Sequence, residues 1–261
     1  MIACEHPKTQ ALVETQVWAK LAALDETIQC CFRTRAMVAP QVPGRDVQIL
    51  ALRDLPDKPG LSTREGQARL LHDLASIELQ AMELGLRTLM EFPDAPAAFR
   101  AELVEVTREE GLHLRLCLEG LEALGRPWGS FPTHLALWQA CAADDSLLDR
   151  IVLVHRYLEG SGLDASATIL RRLGGVRAPE ALRAVEVISR DEVEHVLFGS
   201  RWYHRLVHEA GLDPGEDFRA RLERLFQRVP RRLEPIQAAL RLRAGFTQNE
   251  IDCLESLRTR R

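Results

Sequence analysis

Two stretches of the chain carry the same arrangement of glutamate and histidine, and no other feature of the 261 residues restricts the fold as tightly. Glu78 lies in ASIELQAMEL, and Glu110 with His113 in VTREEGLHLRL. Glu159 lies in HRYLEGSGLDAS, and Glu192 with His195 in SRDEVEHVLFG. Each half is a lone Glu followed by Glu-x-x-His, with Glu-to-Glu intervals of 32 and 33 residues. Of eight histidines, only His113 and His195 have a Glu three positions earlier. On a helix, positions three apart lie one turn apart on the same face. Glu110 and His113 therefore point at one place, as do Glu192 and His195, and a lone Glu on a partner helix completes each set.

The flanking residues put these groups in a core. Glu110 falls in a stripe of Leu103, Val106, Leu114, Cys117 and Leu121, and Glu192 in one of Val185, Ile188, Val196 and Gly199. Glu78 falls among Leu71, Leu74, Ala75, Ala81, Met82 and Gly85. A core does not accept several carboxylates without counter-charge. Four carboxylates and two imidazoles on four helices suit two divalent metals, the ligand set of di-iron and di-manganese bundles. Two dications would balance the four carboxylates. Coincidental Glu/His neighbours on solvated faces would not repeat at matched spacing. Iron is the first expectation and manganese the alternative, because ligand type alone does not select between them.

The stretches LLHDLASIELQAMEL, the Glu110–His113 segment ending in LEALG, LEGSGLDAS and DEVEHVLFGSRWY resemble the ferritin-like superfamily, and more closely the bacterial domain-of-unknown-function 455 family. With the upstream PGR they span most of residues 43 to 205. The resemblance implies that Glu78 and Glu159 are terminal ligands, that Glu110 and Glu192 bridge, and that His113 and His195 each cap one metal. It implies no particular reaction.

The rest of the chain reads as helices. Aromatic residues are only 5% of the chain, and Leu and Ala dominate, which favours packed helices over sheets. Periodicity predicts an amphipathic helix over 9–33, outside the metal pattern, then a Pro- and Gly-rich connection over 39–61 laid across the surface. Ser62 with Glu65 reads as a capping box opening the first bundle helix, which runs to about Met90. Asp94 is the expected cap of the second, which ends at Gly125. After RPWGSFP, a short helix is expected within 133–142, a third long helix over 146–173, and a fourth from Pro179 to Ala210. Further helices are expected over about 215–228, 234–244 and 248–258, with Thr247 and Glu250 as another capping box. The expected fold is all-α: a ferritin-like four-helix bundle over 62–211, an N-terminal helix and connection over 1–61, and a C-terminal helical extension over 212–261.

Around the ligands, Asp191 and Glu109 each precede a Glu of Glu-x-x-His, either as hydrogen-bond partners of His113 and His195 respectively or as plain surface charge. His155 lies one turn before Glu159, as an additional ligand, a ligand-supporting group or a satisfied core histidine. Cys117, Gly162 and Gly199 leave small side chains beside the ligands, either as room for O2 or substrate or, for the glycines, as close helix contacts. Only Tyr157 and Tyr203 are present, which disfavours a ribonucleotide-reductase-like tyrosyl radical.

A net charge of −4 excludes a global field drawing the chain to nucleic acid, although RVPRR and RTRR make the tail locally basic. Six cysteines without CxxC spacing, no signal-like N-terminus and no membrane-length apolar run point to a reducing cytoplasm and no membrane. The favoured expectation is an O2-activating dinuclear oxidoreductase, a hydroxylase or oxidase acting on a small-molecule or RNA substrate with an external electron donor, as a monomer or homodimer. Ferroxidase or metal handling, and a metal-stabilised scaffold, are the alternatives.

Overall fold

The computed structural model describes residues 9–33, 38–229 and 234–259. These residues are all-α; the one β-type pairing among them is an isolated bridge between Ile49 and Thr133. The chain divides into two compact units, Met1–Trp138 and Gln139–Arg261.

The first unit is built on a hairpin of two long helices, α4 (Arg64–Glu91) and α5 (Ala97–Ala123). The cap of α4 lies one residue beyond the expected Ser62. Thr63 takes the extended Ncap conformation and its Oγ1 accepts the Gly66 N–H at 3.0 Å, so Glu65 falls too early for a capping box. Pro96, not Asp94, precedes α5. The turn between the helices is closed by the buried Arg100, whose guanidinium donates to the Leu89 and Phe92 carbonyls at 2.8 and 3.0 Å and so satisfies the frayed end of α4. Gly85 allows α4 to lie directly on Thr107 of α5, where a Cβ would collide with the threonine hydroxyl. Gly125, at φ 73°, reverses the chain after α5 as expected.

The predicted N-terminal helix is three short ones: α1 (Gln10–Val13), α2 (Val17–Ala22) and α3 (Leu24–Arg33). The break at Glu14 has a local and a distant cause. Its carboxylate accepts the Thr15 and Gln16 N–H groups at 2.7 and 2.9 Å, while the Leu12 carbonyl is taken by Gly44 N–H at 2.8 Å. These helices pack on α4 and α5. Their anchor is ionic: the fully buried Lys20 lies 2.9 Å from Glu83 of α4, which also takes both arms of Arg45 from the connection. Lys20 additionally donates to the Ala11 and Leu12 carbonyls at 3.0 and 3.1 Å. The short helix α6 is confined to Ala136–Ala140.

The second unit repeats the hairpin plan with its extra helices at the other end. Ser146 and Asp149 form a capping box at the start of α7 (Leu147–Ile151). The chain continues through a π-helical segment (Val152–Leu158) into α8 (Glu159–Leu173). The expected single α-helix over 146–173 is therefore interrupted by a wider turn. Helix α9 (Pro179–Glu209), with Pro179 at its first position, packs against it. Helices α10 (Pro214–Leu225) and α11 (Ala238–Arg243) pack on the same hairpin, and α12 (Gln248–Thr259) packs on α10 and α11. The Thr247–Glu250 capping box is present, with Thr247 N–H on Glu250 at 2.8 Å. Part of the basic RVPRR and RTRR stretches lies outside the described residues.

Buried ions key the added helices here too. Arg156 is fully buried, lies 2.8 Å from Glu250, and stacks under Phe246, Phe218 and Tyr203 at 4.2–4.6 Å. Arg241 pairs with Asp164 at 2.7 Å, and Arg258 reaches the same carboxylate at 3.3 Å. Burial works against the Glu250 carboxylate, but His204 and Arg156 outweigh it and hold its pKa well below the usual range. No helix among the described residues is long and apolar enough to cross a membrane.

Candidate metal centre

In the first unit the helical hairpin brings Glu78 of α4 to Glu110 and His113 of α5. All three are 1–3% exposed. His113 Nδ1 lies 3.6 Å from Glu78 Oε2 and 3.7 Å from Glu110 Oε2. Those separations are too long for hydrogen bonds. They match donors sharing an ion: two ligands each about 2.1 Å from a metal, at a tetrahedral angle, lie about 3.4 Å apart. Glu78 Oε2 is buried with no hydrogen-bond partner among the described residues. Glu110 and His113 belong to a buried Glu/His group that could hold a metal ion, and Glu78 lies against His113.

Its protonation behaviour follows from burial. Desolvation pushes the Glu78 carboxyl up to about 8, helped by the Glu110 charge and opposed by His113. Desolvation works against a charged His113, yet the Glu110 and Glu78 carboxylates outweigh it and raise the imidazole to about 11. Without a cation, the cluster balances its charge with protons. A metal displaces such protons and supplies the positive charge itself.

In the second unit Glu159 opens α8, while Glu192 and His195 sit one turn apart on α9. They are 8%, 6% and 1% exposed. Glu192 and His195, both buried, likewise belong to a Glu/His group that could hold a metal ion. His155 Nδ1 lies 2.8 Å from Glu159 Oε1, at hydrogen-bond distance, and Glu159 Oε2 has no hydrogen-bond partner among the described residues. His155, 2% exposed, belongs to the buried side of the π-helical segment.

Of the supporting residues, Asp191 is half-buried beside Glu192 and pairs with Arg190 at 2.7 Å, and Glu109 is exposed on α5. Cys117 is fully buried one turn beyond His113, and burial, with the Glu78 charge, drives its thiol pKa well up. The two glycines differ. A Cβ on Gly199 would lie 2.5 Å from the His155 Cβ, so this glycine permits close helix contact. A Cβ on Gly162 would meet nothing within 4 Å. His72 hydrogen-bonds a loop rather than a helix: its Nε2 accepts Gly129 N–H at 3.2 Å while the ring stacks on Trp128. Burial drives its pKa down to about 4, so the ring is neutral. His204 is held 3.0 Å from Glu250. The described cysteines are all free thiols.

Sequence reasoning missed the π-helical segment and the acid–base clusters. VLVHRYL contains no Gly or Pro to mark an irregular turn. Lys20 did leave a signal, since it interrupts the apolar stripe of Val17, Leu21 and Leu24.

No solved structure matches the chain. A protein of Haemophilus influenzae described as "Uncharacterized protein" is 35% identical over 216 residues, covering 78% of this chain and 73% of its own length. The family described as "Protein of unknown function (DUF455)" matches residues 3–252, nearly the whole chain and both Glu/His sets, and the chain belongs to that family.

Proposed function

We propose that the protein binds a pair of divalent metals through the six donors that its sequence repeats, and that it is an O2-activating oxidoreductase, a hydroxylase or oxidase. The observation that carries this reading is the convergence of Glu78, Glu110 and His113 at 3.6–3.7 Å in a buried site, together with the same residue set on the hairpin of the second unit. Each half supplies two carboxylates and one imidazole, and two dications neutralise the four carboxylates. The favoured metal is iron, with manganese the alternative for the same ligand chemistry. A bound iron pair would supply reductive chemistry toward O2. The protein's own share is to hold the six donors in a dry core and to exclude bulk water with the leucine and valine stripes around them. The open side of Gly162 supports access for a small reactant. The reading calls for an external electron donor and a small-molecule or RNA substrate.

The test begins with metal content. After iron or manganese supplementation the protein should carry about two equivalents per chain, the stoichiometry of this ligand set. Glu110→Ala in the first unit and Glu192→Ala in the second should each lose most of it. Full occupancy in both variants refutes the assignment. The reduced di-iron protein should then consume O2 once per site and stop until re-reduced. Continued rapid oxidation of added Fe(II), with the iron retained, would make the protein a store instead.

A further inference from the structure

We propose that His155 is a positioning residue that holds one oxygen of Glu159 by its Nδ1–H, so that the other oxygen is presented as the metal ligand. The proposal rests on the dinuclear reading above and assigns the residue that aims one of its ligands.

Four observations in the second unit carry it. His155 Nδ1 lies 2.8 Å from Glu159 Oε1, a charge-assisted hydrogen-bond distance. Glu159 Oε2 is buried and has no hydrogen-bond partner among the described residues, so the carboxylate has one oxygen committed and one available. The imidazole is fixed from its other sides: Phe198 meets it edge-on at 5.0 Å, and α9 presses on its Cβ through Gly199. Lastly, the ring sits on a π-helical segment that runs directly into Glu159. A π turn holds one residue more than an α turn and rotates everything after it, and such turns concentrate at functional sites.

Two side chains bond carbonyls of the wide turn, one from α11 and one from the next turn of its own helix. The Arg156 carbonyl accepts from Arg241 Nη1 at 3.2 Å, and the Tyr157 carbonyl from the Ser161 hydroxyl at 2.6 Å. Gly160 makes room for that guanidinium, since a Cβ there would lie 2.6 Å from Arg241 Nη1. A carboxylate placed by an α turn would have a different direction. A carboxylate left to rotate would lose affinity to the disorder of its free state. Supporting partners of this kind typically contribute about 10–100-fold in metal affinity.

The experiment separates the two imidazole nitrogens. His155→Ala removes both. His155→Asn keeps an N–H donor near the position of Nδ1 and removes Nε2. Metal titration of the full-length apoprotein with Fe(II) under anaerobic conditions, and with Mn(II), should show two sites in the wild type. In His155→Ala one of them should weaken about 10–100-fold. His155→Asn should restore it to within a few-fold of wild type. In the metal-free wild type, imidazole 15N shifts should report the Nδ1–H form of His155. Unchanged affinity at both sites in His155→Ala overturns the proposal. Loss in His155→Asn equal to that in His155→Ala overturns it too, because Nε2 would then be the acting atom, a ligand in its own right. An Nε2–H tautomer likewise overturns it. A wild type that binds no metal defeats the dinuclear reading itself, an outcome distinct from the other three.

Discussion

Glycine 199 and glycine 162 show how one residue type serves two purposes on neighbouring helices. At Gly199 the missing side chain is already occupied by His155, whose Cβ would lie 2.5 Å from an added methyl. Gly199→Ala must therefore push α9 off the π-helical segment, and overpacking of this kind typically costs about 1–3 kcal/mol. At Gly162 an added methyl meets nothing within 4 Å. Gly162→Ala should leave stability unchanged or raise it by up to about 1 kcal/mol through helix propensity. Thermal or urea unfolding of the two variants checks the contrast. Equal destabilisation would show that both glycines are packing contacts, and Gly162 would then offer no access route. The donor residues obey the same local logic, since Glu110 with His113 and Glu192 with His195 share a face because they are one turn apart.

At the scale of the elements, the two hairpins fix their accessory helices by the same device, a buried carboxylate shared between cations. In the first unit Glu83 of α4 joins Lys20 of α2 to Arg45 of the connection. Burial lowers the Lys20 pKa, and the Glu83 charge is what opposes that shift. Glu83→Gln would leave both cations without their counter-charge. Breaking a buried pair in this way typically costs about 3–5 kcal/mol. The expected result is accelerated amide exchange over residues 9–33 while the α4–α5 hairpin remains protected. Unchanged exchange over 9–33 would show that apolar contacts alone hold those helices. In the second unit Asp164 and Glu250 play the corresponding part, and the same cluster carries Arg241 to the carbonyl of the π-helical segment.

For the whole molecule, the consequence of gathering carboxylates in a core is a pH dependence that metal should remove. Glu78 titrates at about 8 in the folded metal-free chain against an ordinary 4.5, and His113 at about 11 against 6.5. Both folded-state values are raised, so the folded chain retains protons that the unfolded chain releases. Stability is then fully present below the ordinary values and falls as pH rises through the raised ones. The apoprotein should lose melting temperature steadily between pH 5 and pH 8, the window of the Glu78 shift. Metal-loaded protein should melt higher at pH 8 and show a flatter profile, since bound cations stabilise the folded state by mass action. Melting curves of both forms across that range are the measurement. Coincident curves would mean that the ligands are not holding a metal.

How much of this was legible in the sequence depends on how local the cause is. That Glu110 with His113 and Glu192 with His195 lie on helices in a buried face was legible because a three-residue spacing on a helix is geometry, and the two matched intervals could be read without knowing any contact. Helix ends marked by single residues, Pro179 and Gly125, were legible for the same reason. Thr63 displaced Ser62 as a cap because adjacent hydroxyls compete, and the backbone conformation at one position decides between them. The break at Glu14, the π-helical segment at Val152–Leu158 and the clusters of Lys20 with Glu83 and Arg241 with Asp164 depend on partners 30 to 85 residues away, Gly44 for the first and Arg241 for the second. By itself the sequence determined that the two Glu/His sets lie on helices and that their flanking residues bury them. Only the tertiary structure decided the wide turn that leads into Glu159, because one of its carbonyls is bonded by a residue 85 positions away, the Arg241 guanidinium beside Gly160, and nothing in VLVHRYL itself marks the irregularity.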